Sequence, residues 1–296
     1  FLKSHWRPFN TSELNSKDLN VTLKNRFPDK NITLFPSARM AFYFVLKSTF
    51  DEGDEVIFPA MGFPLYVKIA LQLGLKPKFV DVEPNHYTID HNSLKKIITP
   101  KTKGIVITHL FGHPCQMDEI MKIADENNLK VIEDAAQAFG SVRDEKKIGT
   151  YGDVICFSFD GIKNITSGEG GAILSSDIEF IQKIKDARLL GVEKDTERRF
   201  KGQRSWDFDV KEQGFRYHMS NIMAAIGIEQ LDRFPDFSTK RKKLAYRYDQ
   251  EFANVAGITP ISQSYDEVTP HIYVVHLDES VDRQLLRKRL EESGIQ

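Results

Sequence analysis

From about residue 37, short apolar runs alternate with longer amphipathic stretches. Runs rich in β-branched and aromatic residues fall at Glu55–Phe58, Lys78–Val82, Gly104–Thr108 and Lys130–Glu133, each 23 to 26 residues after the last. Helical periodicity fills the gaps at Phe63–Leu73, Asn92–Ile98 and Met117–Asn127. This is the spacing of βα units, and near-continuous apolar strands predict a parallel sheet covered on both faces. Gly53, Gly74 and Pro84 punctuate the joins. Two further strands, Asp153–Phe159 and Gly171–Ser175, enclose a glycine-rich turn.

The pattern then changes. Lys194–Lys211 is charged, aromatic and aperiodic, and reads as a long surface loop. Ser220–Leu231 reads as a helix whose small residues Ala224, Ala225 and Gly227 admit a second backbone, and Pro235 is expected to break the chain after it. Thr239–Phe252 is a strongly charged helix best read as a solvated face. A strand at His271–Leu277 and a helix at Asp282–Ser293 follow. The expected fold is α/β. A three-layer α/β/α large domain with a mostly parallel sheet takes residues 1–232. A smaller C-terminal α+β domain takes 233–296 and is expected to be incomplete at Gln296.

Charge and composition narrow the function. Forty-one Lys and Arg against 42 Asp and Glu leave a net charge of −1, so no basic excess exists to drive binding to nucleic acid. No apolar run approaches the roughly 18 residues that cross a bilayer. Cys115 and Cys156 are too few for a disulfide scaffold, which suits a reducing, cytoplasmic setting.

Four segments carry chemistry. In Asp153–Gly171 the strand puts Phe157 and Phe159 on one face and Ser158 on the other, and Lys163 and a turn rich in glycine follow. In Val131–Gly140, Asp134 sits where ligands gather, beyond the carboxyl end of a parallel strand; its plainer role is a helix cap, with Gln137 one turn on. In Leu34–Leu46, Ser37 reads as the N-cap of a helix whose first amides could seat a phosphate. Neither GxGxxG nor GxxxxGK[ST] occurs there, which removes support for a dinucleotide or P-loop site. In Pro59–Tyr66, Phe63 follows a strand end, where an aromatic belongs to the core or stacks on a flat ligand. His109, His113 and Cys115 lack a recognised zinc spacing and read as a loop, so no metal is expected.

Together these segments resemble the nucleotide-sugar aminotransferases of the DegT/StrS group, fold-type I pyridoxal-phosphate enzymes. The resemblance runs from about residue 30 to Gln296 and rests on EDAAQ at 133–137, SFDGIKN at 158–164, GEGG at 168–171 and GFRYHMSNIMAAIGIEQL at 214–231. HLFG at 109–112 and GDEV at 53–56 add to it. It implies pyridoxal 5′-phosphate as cofactor, Lys163 as the Schiff-base lysine and Asp134 as partner of the protonated pyridine nitrogen. It also implies Gln137 on the ring hydroxyl, Phe63 on the ring face, and Ser158 with the amides of Ala38 and Arg39 on the phosphate. The implied reaction moves an amino group from glutamate to a nucleotide-linked keto-sugar, in a homodimer with shared active sites.

The chain departs from that pattern in places. Ala38-Arg39 stands where the family usually has Gly-Thr, and Arg216 where many relatives carry an asparagine that reaches the neighbouring subunit's phosphate. Both arginines could bind phosphate, or Arg39 could reach substrate; the alternative for each is a structural salt bridge. The family's stretch that helps hold the sugar lies beyond Gln296. Two alternatives remain. One is a sugar dehydratase of the same fold, in which histidine replaces the lysine. The other is a non-catalytic module that binds the cofactor.

Overall fold

A computed structural model describes residues 14–192, 210, 213–261 and 263–295. Helix α1 (Leu14–Arg26) leads into strand β1 (Asn31–Phe35), helix α2 (Ala38–Thr49), β2 (Glu55–Pro59), α3 (Pro64–Gln72) and β3 (Lys76–Val80). Then come α4 (His91–Ile97), β4 (Thr102–Thr108), α5 (Met117–Glu126) and β5 (Lys130–Asp134). A two-stranded ribbon, β6 (Val142–Arg143) and β7 (Lys146–Lys147), precedes β8 (Val154–Ser158), β9 (Gly171–Ser175) and α6 (Ile178–Ala187). The described chain closes with α7 (Asn221–Phe252), β10 (Ile258–Pro260), β11 (Val275–Leu277) and α8 (Arg283–Glu292).

The seven-stranded sheet has the order β1-β9-β8-β5-β4-β2-β3, in which β9 alone runs antiparallel to its neighbours. Side chains alternate across each strand. In β8, Val154 and Cys156 enter the layer with Phe42, Phe44 and Ile184 of α2 and α6, while Ile155 and Phe157 enter the opposite layer with Leu19, Leu23 and Phe27. Under β4 and β5, Ile105, Ile107 and Val131 pack on Ile120 and Ile123 of α5. Each fully buried side chain of this size contributes about 1.5–3 kcal/mol of transfer free energy.

The sheet therefore has helices on both faces, as the strand spacing requires. The calculated boundaries fall within two residues for β3 and closer for α3, α4 and α5. The loop expected at Lys194–Lys211 lies outside the described residues except Val210, which bridges to Val192. The strand expected over His271–Leu277 is shorter, Val275–Leu277, because only that segment finds a partner, in β10.

One expectation fails. Pro235 does not break the chain: it lies inside α7, a helix of 32 residues. Phe234 beside it is buried edge-on against Phe139, and Arg26 lies over its ring at 5.3 Å, so packing outweighs the lost backbone bond. Residue 233, the expected domain boundary, thus falls within a continuous helix. The small-residue face of α7 is covered from within the chain: a Cβ on Gly227 would meet Leu19 of α1 at 3.3 Å.

Candidate active site

The parallel strands end together, and their last residues define the site. Thr108 pairs in register with Asp134, and Asp134 with Cys156. Ser158 lies opposite Gly171, which lies opposite Phe35. The chain turns at Pro36 and enters α2, whose N-cap Ser37 accepts from Met40 N–H at 3.4 Å. A Cβ on Gly171 would stand 2.7 Å from the N and Cα of Ala38. Only glycine lets the helix start approach the sheet this closely. The amides of Ala38 and Arg39, at the first two helical positions, have no carbonyl within the helix and stay available to an anion. The buried Ser158 sits on the neighbouring strand, its Oγ accepting from Asp160 N–H at 3.4 Å.

Asp134 is buried, with Oδ1 accepting from Ala136 N–H at 3.2 Å and from the Tyr66 hydroxyl at 3.4 Å. Oδ2 accepts from the Thr108 hydroxyl at 3.4 Å. No helix follows, so Asp134 stabilises a turn and does not cap a helix. Burial pushes its carboxyl up to about 6, against the opposing pull of the Ala136 amide and of the charges of His109 and Lys163. Lys163 follows β8, the strand paired with β5.

Lys163 is half-buried in a turn closed by its own N–H to Asp160 O at 3.0 Å. The next residue, Asn164, fixes that turn by donating to Phe139 O and Thr269 O at 3.3 and 3.2 Å. His271 closes the far side, its N–H donating to Phe111 O. Gly112, at φ 98°, makes room for this segment: a Cβ there would meet Thr269 O at 2.4 Å. Burial first, and then the charges of Lys163 and Arg241, lower the His271 ring to about 4. Asn164 Oδ1 and His271 Nδ1 are buried without a hydrogen-bond partner.

The remaining expected residues divide. Gln137 is reached by a turn, not a helix, and its Oε1 accepts from Phe111 N–H at 2.7 Å, which leaves the Nε2 donor for a ligand. Phe63 is 47% exposed, so it is not core; its edge meets Tyr66 at 5.4 Å. Arg39 is exposed and its charge reaches Tyr66. Arg216 is not gathered with these. It is exposed on a bridge to Leu189, between Phe215 and Tyr217, whose stacked rings pack on Phe44. Among the described residues neither arginine has an ion-pair partner, so the salt-bridge alternative gains nothing.

His109 and Cys115 serve the frame. His109 Nδ1 accepts from Cys115 N–H at 3.0 Å, so the ring proton sits on Nε2 and donates to Glu133 at 3.2 Å. Glu133 also accepts from the amides of Gly149, Tyr151 and Gly152. Burial raises this carboxyl, but the His109 bond and those amides outweigh burial and hold it below the usual range. Sequence reasoning gave no role to Thr108, Tyr66, Asn164 or His271. Only the position of Thr108 at a strand end, level with Asp134, signalled one.

A buried carboxylate, a lysine amine, unpaired helix amides and an exposed aromatic lie at or follow the ends of the sheet's strands, and two buried polar atoms, Asn164 Oδ1 and His271 Nδ1, lack hydrogen-bond partners. These fit a flat cationic heterocycle that carries a phosphate. The chain belongs to the DegT/DnrJ/EryC1/StrS aminotransferase family, whose model matches residues 30–296. It is similar to the GDP-perosamine synthase of Escherichia coli O157:H7, at 33% identity over 285 residues, 92% of this chain and 73% of that protein. Among solved structures it resembles the PMP-form of the putative sugar aminotransferase Spr1654 of Streptococcus pneumoniae. There the TM-score is 0.90 and the identity 26%, over 99% of this chain and 79% of that one. A GDP-4-keto-6-deoxymannose-3-dehydratase, ColD, has TM-score 0.88 and 26% identity over 96% of this chain and 78% of its own.

Proposed function

We propose that the chain is a pyridoxal-phosphate-dependent aminotransferase that moves an amino group from glutamate to a nucleotide-linked keto-sugar. The observation that supports this reading is the placement of Lys163 and the buried Asp134 on neighbouring strands, Asp134 ending β5 and Lys163 in the turn after β8. When bound, pyridoxal phosphate supplies an electron sink that makes the C–H beside a substrate amine acidic.

Asp134 would hold the cofactor's ring nitrogen as a cation; burial, which makes its own charge costly, makes a cationic partner favourable. The amides of Ala38 and Arg39, with Ser158 Oγ, would hold the phosphate. Gln137 Nε2 would donate to the ring hydroxyl, and Phe63 would cover the ring face. Lys163 would hold the cofactor covalently through Nζ, and the same atom, once released, would carry the proton from the donor carbon and return it to the acceptor carbon. Lysine at this position, where dehydratases of this fold are expected to carry histidine, favours amino transfer over dehydration.

Arg39 and Arg216 would meet phosphate groups, Arg216 from a neighbouring subunit of a homodimer. The exposed Phe63, Ile162 and Leu190 offer apolar area for such a contact. Cys115 and Cys156 are both free, in keeping with a reducing cytoplasmic setting, and among the described residues no helix is long and apolar enough to cross a membrane.

Incubating the protein with the cofactor, glutamate and a panel of GDP-, UDP- and dTDP-linked keto-sugars tests the reading. An aminated sugar and 2-oxoglutarate in equal amounts are expected. Bound cofactor without turnover on any member would favour a binding module instead.

A further inference from the structure

Tyr66 is 5% exposed, and its ring is stacked face to face on Phe42 at 3.8 Å and 17°. The edge of Phe63 meets it at 5.4 Å and 80°. Two aromatic neighbours thus fix the phenol ring, and its hydroxyl projects to Asp134 Oδ1. Thr108 approaches from β4, in register with Asp134, and donates to Oδ2. Its branched side chain has a restricted χ1, so this hydroxyl is also fixed. With Ala136 N–H, the donors occupy three of about four acceptor positions on the carboxylate.

We propose that Tyr66 and Thr108 are positioning residues, one hydroxyl donor on each oxygen, which keep the buried Asp134 anionic and aimed before a cationic ring nitrogen arrives. The inference rests on the reading of Asp134 as partner of that nitrogen. A carboxylate stripped of water tends to take up a proton, and donors to its charged form oppose this. Burial, chiefly, and the charge of Asp134 hold the Tyr66 phenol well above its usual range, so it remains a donor throughout the working pH range.

The other titratable groups facing Asp134 do not supply these bonds. Lys163 comes from the turn after β8 and acts through its charge. His109, after β4, directs its ring proton to Glu133. Cys156 on β8 is kept protonated by burial and by Asp134. Arg39 is exposed, and its charge reaches Tyr66. Tyr66 also touches Phe63, so one side chain links the residue proposed for the cofactor's ring face to the residue proposed for its ring nitrogen.

The test uses the cofactor-free chain labelled with 13C at aspartate carboxyls, with the Asp134 signal assigned by Asp134→Asn, and pyridoxal phosphate affinity measured from pH 5 to 9. Tyr66→Phe keeps the stacked ring and Thr108→Val keeps the shape. Each is expected to raise the Asp134 midpoint by about one pH unit and to weaken cofactor binding roughly fivefold near pH 6, with little loss at pH 8. Should Tyr66→Phe fold poorly, Thr108→Val carries the test alone. An unmoved midpoint, or weakening equal at every pH, would overturn the proposal. If Asp134→Asn binds the cofactor at pH 8 as tightly as the parent, the underlying reading of Asp134 fails instead.

Discussion

Lys163 and Asp134 belong to different βα units, yet both lie at or follow the carboxyl ends of neighbouring parallel strands, β8 and β5. Asp134 ends β5, and Lys163 follows β8, the next strand of the sheet. Strand pairing therefore sets their relationship, with Asp134 level with Cys156 two residues before the end of β8.

The Asp134 carboxyl has a stability consequence in the cofactor-free protein. Its folded value, about 6, lies above the ordinary value of about 3.9. Between those values the native state holds more protons than the unfolded state, so stability falls as pH rises through that window and stays lower above it. Asp134→Asn is expected to stabilise the cofactor-free chain at pH 8 by on the order of 2–3 kcal/mol and to change little near pH 4. Urea denaturation at both pH values measures this. A less stable variant at pH 8 would show that Asp134 is well compensated without a ligand.

Gly171→Ala tests the contact between the helix start and the sheet. The added methyl would press on backbone atoms of Ser37 and Ala38, which cannot swing aside. We expect a stability loss of about 1–3 kcal/mol and weaker cofactor binding, by roughly tenfold. Titration with pyridoxal phosphate and with phosphate alone would show both affinities falling together; a loss confined to stability would remove α2 from the anion site.

Phe63 and Phe42 should separate binding from folding. Phe63 is largely solvent-facing, so Phe63→Ala is expected to change stability by less than about 0.5 kcal/mol while weakening the cofactor roughly three- to tenfold. Phe42 is fully buried under Tyr66, and Phe42→Ala should cost about 3–5 kcal/mol. Thermal melts with and without cofactor distinguish the two. Equal melting shifts from both substitutions would place Phe63 in the core.

Much of this was legible from local pattern. The interval between apolar runs gave the βα units, because each strand and helix must bury its own apolar face. Ser37 could be read as a cap and Asp134 as a strand end, since both depend on immediate neighbours. Nonlocal pairing was not legible. Strand β1 gains its identity from β9, which lies far along the chain. Pro235 stays helical because Phe234 packs on Phe139, and Gly227 is covered by Leu19 of α1. The donors on Asp134 were hidden for the same reason: Tyr66 reaches it across 68 residues and Thr108 through register alone.

The central claim is a bond to one nitrogen. Treating the protein with pyridoxal phosphate and borohydride, then mapping peptides by mass spectrometry, should place a single pyridoxyl group on Lys163 and abolish the visible band of the bound cofactor. Lys163→Ala should leave both band and adduct missing. Labelling spread over exposed lysines, or a dominant adduct elsewhere in the chain, would contradict the account.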